Sequence, residues 1–284
     1  MTRAKKIVRA LPAGMPATAD LKKTAVDAAL AAGKVLIKHF GRPLDIREKK
    51  NAGLVTNADV EAEQAALKIL RKRYPDFGIL TEESPEEFSK DPGRWIMDPL
   101  DGTTNFVHRF PMFCVSIAAQ WANEVVVGVI YHPILNDLYI GVRGKGATVN
   151  GKKLQVSKTS RVADSLLTTG FTYKKKSQLR TEMDAFERLS GIARAVRRPG
   201  SAALDLAYTA RGVFDGFWER NLSAWDTAAG ALLVEEAGGK VTNFEGHPFR
   251  PEMKQILATN GALYTTLQQT IAPEFCQLPG HSPV

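Results

Sequence analysis

Trp95-Ile96-Met97-Asp98-Pro99-Leu100-Asp101-Gly102-Thr103-Thr104 decides how the rest of the chain is read. Residues 94–97 have the look of a strand that runs directly into Asp98. Pro99 and Gly102 then favour a tight turn. Such a turn can bring the Asp98 and Asp101 carboxylates and the Leu100 carbonyl toward one point. Mg²⁺ takes hard oxygen ligands and keeps several waters, so two or three carboxylates and a carbonyl suffice to hold it. Taken alone, the stretch is also an ordinary turn, because Asp-Pro and Asp-Gly are common turn pairs.

Outward from this point the chain alternates helix and strand patterns. Upstream, Leu21, Ala25, Ala28, Ala29, Ala32, Val35, Leu36 and Phe40 recur at helical spacing, with Asp20 as N-cap and Gly41 and Pro43 as the stop. A polar loop is expected through Asn57, then a helix over residues 59–73 and a strand over 77–80 that leads into Thr81-Glu82-Glu83-Ser84. Downstream, residues 113–121 and 124–131 predict a hairpin about Ala122-Asn123. Strands over 137–142 and 147–149 continue an antiparallel meander. Beyond residue 153, short strands at 165–169, 193–197 and 212–219 alternate with helices at 180–189 and 201–211. A helix over 227–237 ends at Gly238-Gly239, a C-cap signal. Composition places an N-terminal lobe over 20–150 and a C-terminal lobe over 151–271, flanked by a flexible basic extension, 1–19, and a tail, 272–284.

The bulk numbers bound the function. With 284 residues, 44% hydrophobic and 24% charged, the chain can bury a large core without staples. Cys114 and Cys276 do not make a disulfide framework and read as free thiols in a reducing, cytoplasmic setting. No apolar run reaches the roughly 18 to 20 residues that span a bilayer. The N-terminus is basic but lacks an apolar core, so it is not a secretory signal, and Pro12 and Pro16 argue for a flexible extension over a transit peptide. The net charge of +8 suits an anionic substrate or a nucleic-acid partner, although a solvated basic surface explains it as well. Lys174-Lys175-Lys176 and Arg197-Arg198 are the denser clusters.

Three acidic groups share one local setting. Glu82 and Glu83 follow a strand, Asp98 and Asp101 follow another, and Asp226 opens a helix after Trp225. Side chains at strand ends and helix starts project into crevices where sites are built. Each has a simpler explanation alone: Asp226 as a helix cap, and Glu82 and Glu83 as a solvated patch with Glu86 and Glu87. The ordered combination is harder to set aside.

That combination resembles the inositol monophosphatase family. The stretch from Trp95 to Pro111 is similar to the family's first signature, and Trp225-Asp226-Thr227-Ala228-Ala229-Gly230 running on to Glu235-Glu236-Ala237-Gly238-Gly239 is similar to its second. Leu54-Val55-Thr56-Asn57-Ala58-Asp59, Thr81-Glu82-Glu83-Ser84, Gly144-Lys145-Gly146-Ala147 and Asn150-Gly151 fit further family segments in order. The resemblance covers roughly residues 20–270.

It implies an α+β fold, the layered αβαβα sandwich shared with fructose-1,6-bisphosphatases, and a lithium-sensitive hydrolysis that uses two or three Mg²⁺ ions. By motif position, Glu82, Asp98 and the Leu100 carbonyl would hold one metal, and Asp98, Asp101 and Asp226 a second. Thr103, supported by Asp59, would help activate the attacking water, with Glu82 beside it. Amides at Gly102, Thr103 and Thr104 would cradle the phosphate. Gly200-Ser201-Ala202 aligns with the substrate loop and Glu219 with a carboxylate that binds a substrate hydroxyl, although Glu219 could instead pair with Arg220 or Arg198. Asp101 and Asp226 would also face the substrate, and Lys49 or Lys50 matches a family lysine near the metals. Thr104-Asn105-Phe106-Val107-His108 favours the inositol monophosphatase branch, so the expected substrate is myo-inositol monophosphate or a related polyol phosphate, with histidinol phosphate as the runner-up. The resemblance also implies a homodimer. Arg197-Arg198-Pro199-Gly200-Ser201 and Phe217-Trp218-Glu219-Arg220 look most like bacterial members. Some of those act as transcription antitermination partners of RNA polymerase, independently of phosphatase activity.

Overall fold

The computed structural model describes residues 14–49, 53–171 and 176–273. Lys50, Lys174, Lys175, Cys276 and most of both tails, with the readings that fall on them, lie outside the described residues.

Helix α1 (Thr18–His39) buries Leu21, Ala25, Ala28, Ala29, Ala32 and Leu36. It starts earlier than the sequence suggested. Ala17 holds the N-cap position without a side-chain bond, and Asp20 sits in the first turn, where a negative charge complements the helix dipole. The expected polar loop after α1 is in fact a hairpin of β1 (Ile46–Lys49) and β2 (Gly53–Thr56), paired Ile46↔Thr56 to Lys49↔Gly53. Its strands are only four residues each, β1 mostly exposed and β2 graded from exposed Gly53 to buried Thr56, so they carry no apolar alternation to read. Helix α2 (Asn57–Arg73) follows at once and packs against α1.

The main sheet has seven strands in sequence order: β3 (Gly78–Thr81), β4 (Gly93–Asp101), β5 (Cys114–Trp121), β6 (Glu124–His132), β7 (Asp137–Val142), β8 (Gly146–Val149) and β9 (Lys152–Lys153). Only β3 and β4 run parallel; the rest is an antiparallel meander. Ala122 and Asn123 both take positive φ, 47° and 66°. That is the twist a two-residue hairpin turn needs. Side chains alternate across the sheet. Trp95, Met97, Val115, Ile117 and Ala119 join the core beneath α1 and α2, while Ile96, Cys114 and Ala118 join the core on the opposite face.

That opposite face is covered by α5 (Ala202–Ala210) and α6 (Ala224–Glu236). A short helix, α3 (Thr103–Val107), links β4 to β5, and α4 (Lys176–Ser190) precedes the second sheet's edge strand. The second sheet has the order β11 (Ala195–Arg197), β10 (Leu166–Thr169), β12 (Gly216–Arg220), β14 (Gln255–Thr259), β13 (Lys240–Thr242). Phe217, Ile256 and Ala258 face α5 and α6. Trp218 and Leu257 face a third core with Leu189 of α4 and Leu267 of α7 (Tyr264–Ile271). The layers are therefore αβαβα, as the resemblance implied.

The small residues of α6 set the layer spacing. A Cβ on Gly128 of β6 would lie 2.7 Å from the Ala229 carbonyl oxygen, and one on Gly230 would lie 2.5 Å from Leu206 Cβ of α5. Overpacking of this kind typically costs about 1–3 kcal/mol. Gly128→Ala is accordingly expected to lower unfolding free energy by about 2 kcal/mol or more in urea melts, because the obstacle is backbone and cannot rotate away.

Candidate metal centre

The site forms where β4 ends. The ladder to β5 pairs Asp98 with Ser116 and then Asp101 with Cys114, so one extra residue is accommodated on β4. A bulge tolerates Pro99, which has no N–H to donate, and it re-aims the side chains around it. Asp98 Oδ1 accepts the Leu100 N–H at 2.9 Å. Gly102 has φ +96°, and a Cβ there would meet the Met112 carbonyl at 2.8 Å. Glycine is thus required for the turn into α3.

Two capping boxes bring further carboxylates in from other layers. Asp59 is the third residue of α2, and its Oδ2 accepts the Thr56 N–H at 2.8 Å and hydroxyl at 2.6 Å. Its Oδ1 lies 3.1 Å from Thr103 Oγ1. That hydroxyl is also 3.1 Å from the Leu100 carbonyl oxygen, so its single proton serves one acceptor at a time. Asp226 is the third residue of α6, and its Oδ2 accepts the Ser223 N–H at 2.7 Å. Asp226 is therefore a capping residue and a member of the site together.

A carboxylate oxygen from each of Asp98, Asp101 and Asp226 lies within 4.8 Å of the others. Burial pushes Asp98 well above the usual carboxylate range, and the charges of Glu82, Asp101 and Asp226 add to this. Burial does the same to Asp226, with Asp101 as the next cause. It raises Asp101 to about 6, against the opposing Ser201 hydrogen bond. The donor set of the trio is carboxylate oxygen. That chemistry fits a hard divalent cation such as Mg²⁺ and not a soft metal.

Glu82 stands outside this trio. Lys49 Nζ donates to Glu82 Oε1 at 2.8 Å and to Glu83 Oε1 at 2.6 Å. Lys49 thus reaches both acids. The solvated-patch reading fails for these two glutamates, whose side chains are only 19% and 5% exposed. Glu86 and Glu87 pair with Arg94 and Arg71 instead.

The predicted substrate loop meets the centre through Asp101. Ser201 caps α5, and its hydroxyl donates to Asp101 Oδ2 at 2.6 Å, beside the Ala203 N–H at 2.7 Å. Ala202 is buried between them. Gly200, with φ +87°, lies against Asn105, whose amide also donates to Pro199 O at 2.9 Å. Thr104 is exposed in the first turn of α3. Glu219 packs against Gly170, where a Cβ would lie 2.2 Å from its carboxylate oxygens. Burial pushes Glu219 well above its usual range, followed by the charges of Asp205, Asp226 and Asp101, with Arg198 opposing. Arg220 turns the other way, over the Phe244 ring at 4.4 Å, and Arg198 lies 5.7 Å from the Phe171 ring.

Sequence reasoning missed three groups. Cys114 is buried 3.9 Å from Asp101 Oδ2. Asp205 is buried in α5 and accepts the Thr168 hydroxyl at 3.0 Å. Glu63 is buried in α2 and accepts from Thr81, Glu83 and Ser84. The signal for Glu63 was an acid on the apolar stripe of α2, between Ala62 and Ala66.

Known proteins resemble this chain along most of its length. The model of the inositol monophosphatase family matches residues 18–279. An inositol-1-monophosphatase of Synechocystis sp. is 43% identical over 250 residues, 87% of each chain. The Nus factor SuhB of Escherichia coli K12 is 44% identical over 225 residues, 78% of this chain and 84% of that one. Among solved structures, the extragenic suppressor protein suhB of Bartonella henselae superposes with a TM-score of 0.85 at 40% identity, covering 89% of this chain and 98% of that one. The inositol monophosphatase of Anabaena sp. gives 0.81 at 41%, covering 91% and 97%. With a family model over nearly the whole chain and relatives at these identities, the chain belongs to the inositol monophosphatase family.

Proposed function

We propose that the chain is a Mg²⁺-dependent phosphomonoesterase that releases inorganic phosphate from myo-inositol monophosphate and related polyol phosphates. The observation that carries this reading is the Asp98, Asp101 and Asp226 trio beside the Thr103–Asp59 pair. Mg²⁺ bound at such a trio lowers the pKa of a water and offsets negative charge on a phosphate. The chain's own groups account for the rest. Ser201 and Ala203 fix one oxygen of Asp101, and Leu100 fixes one oxygen of Asp98. Thr103 can accept a proton from the attacking water while passing its own to Asp59. Burial raises Asp59 above the usual carboxylate range and makes it a better acceptor. Amides of Gly102, Thr103 and Thr104 offer donors to the phosphate, and Glu219 receives a hydroxyl of the polyol.

Asp98→Asn or Asp226→Asn is expected to reduce phosphate release from inositol 1-phosphate at saturating Mg²⁺ by at least about a hundredfold. Near-wild-type turnover in either variant would sink the assignment. A panel of inositol 1-phosphate, histidinol phosphate, fructose 1,6-bisphosphate and adenosine 3′,5′-bisphosphate should show the first as the preferred substrate.

The electrostatics give a second test. Burial raises Asp101 from 3.8 to about 6 and Glu83 from 4.5 to about 7. Across that window the folded metal-free chain binds more protons than the unfolded one, so its stability falls as pH rises from about 4 to about 7. Mg²⁺ favours the ionised carboxylates and should flatten the slope. Thermal melts in EDTA and in Mg²⁺ across this range read the difference, and parallel curves would count against a cation at the trio.

A second reading is favoured by the relatives named Nus factor SuhB. It assigns the chain a role with the transcription machinery that does not need phosphatase turnover. The Asp98→Asn variant should then still recover RNA polymerase or antitermination factors in a low-salt pull-down, and the recovery should fall with salt if RNA is involved. Recovery of neither by the wild type would reject it.

A further inference from the structure

We infer that Glu63 is a positioning residue for the metal centre: it fixes the segment that carries Glu82. This rests on the metal reading above and on the expectation, from motif position, that Glu82 is a further ligand of that centre. The sheet does not hold Glu82 in place. Strand β3 lies at the edge of the seven-stranded sheet, and its ladder with β4 ends at Thr81↔Met97. Glu82 is the first residue beyond that pair. Its carboxylate is tied to Lys49, which comes from the exposed hairpin strand β1.

Glu63 supplies the missing constraint. Its Oε2 accepts the Thr81 hydroxyl at 2.6 Å and the Glu83 N–H at 3.1 Å, and its Oε1 accepts the Ser84 hydroxyl. The residues on both sides of Glu82 are thus fastened to one buried carboxylate, which is 3% exposed. Both oxygens are engaged, so the segment is held at more than one point.

The position of Glu63 on α2 adds a second consequence. It follows Asp59 by one helical turn, so both face the same side. Asp59 reaches Thr103 on α3, and Glu63 reaches the Glu82 segment. One turn of a rigid helix therefore sets the distance between the proton acceptor and Glu82. Groups that orient metal ligands in this way typically alter metal affinity by about 10–100-fold when removed.

The test compares Glu63→Ala and Glu63→Gln with the wild-type chain and with Leu70→Ala, a buried position of the same helix. Mn²⁺ binding to the metal-free protein is measured by titration calorimetry, alongside Tm and the Mg²⁺ dependence of phosphate release. Glu63→Ala should weaken Mn²⁺ binding by at least about tenfold and raise the Mg²⁺ needed for half-maximal release by a similar factor. Glu63→Gln, which keeps one acceptor oxygen, should fall between it and wild type. Leu70→Ala should lower Tm and leave Mn²⁺ affinity unchanged. Wild-type Mn²⁺ affinity in Glu63→Ala overturns the inference. If that variant does not fold, wild-type affinity in Glu63→Gln overturns it equally. An ion affinity that tracks Tm across all three variants reduces Glu63 to a structural residue. Absence of Mn²⁺ binding by the wild type instead overturns the metal centre itself, and this role with it.

Discussion

The structure depends on the mutual repulsion of carboxylates gathered at the end of β4. Asp98, Asp101 and Asp226 converge from a strand end and a helix start, and Glu82 adds to the field at each of them. Burying unpaired charge is costly unless it is paired or hydrogen-bonded. The protein meets this cost with donors placed on selected oxygens: Leu100 for Asp98, Ser201 and Ala203 for Asp101, and Ser223 for Asp226. These bonds hold the acids together without neutralising them. What remains is a demand for positive charge, which a hard cation would answer.

The same device appears twice in unrelated layers. Asp59 and Asp226 each occupy the third position of a helix that starts with a capping box. In both, one oxygen is given to the cap. The helix thereby acts as an aiming element for a carboxylate whose rotamer is already fixed. One helix lies outside the seven-stranded sheet and the other between the two sheets, so the site is assembled from both faces of the main sheet.

Legibility in the sequence followed physical visibility. The turn at Asp98 to Gly102 and the Ala122-Asn123 hairpin were readable because proline, glycine and paired strands leave local signatures. The β1–β2 hairpin was not, since strands four residues long without alternating burial leave no periodic signal. Strands β13 and β14 and helix α7 went unread, and β13 is only three residues long. At the site, the acids at element ends were accessible to reasoning, and the resemblance ordered them. The partners of those acids were not. That Ser201 holds Asp101, a hundred positions away, and that Lys49 holds Glu82, are facts of tertiary placement. Glu63 lay in between, visible as a misplaced acid on an apolar stripe but without any indication of what it held.

The close approach at Gly128 has a consequence for the placement of Asp226. With a backbone carbonyl 2.7 Å from where a methyl would be, the gap between β6 and α6 has no slack, and Asp226 rides on the first turn of that helix. The position of Asp226 is therefore tied to the spacing between that helix and the main sheet.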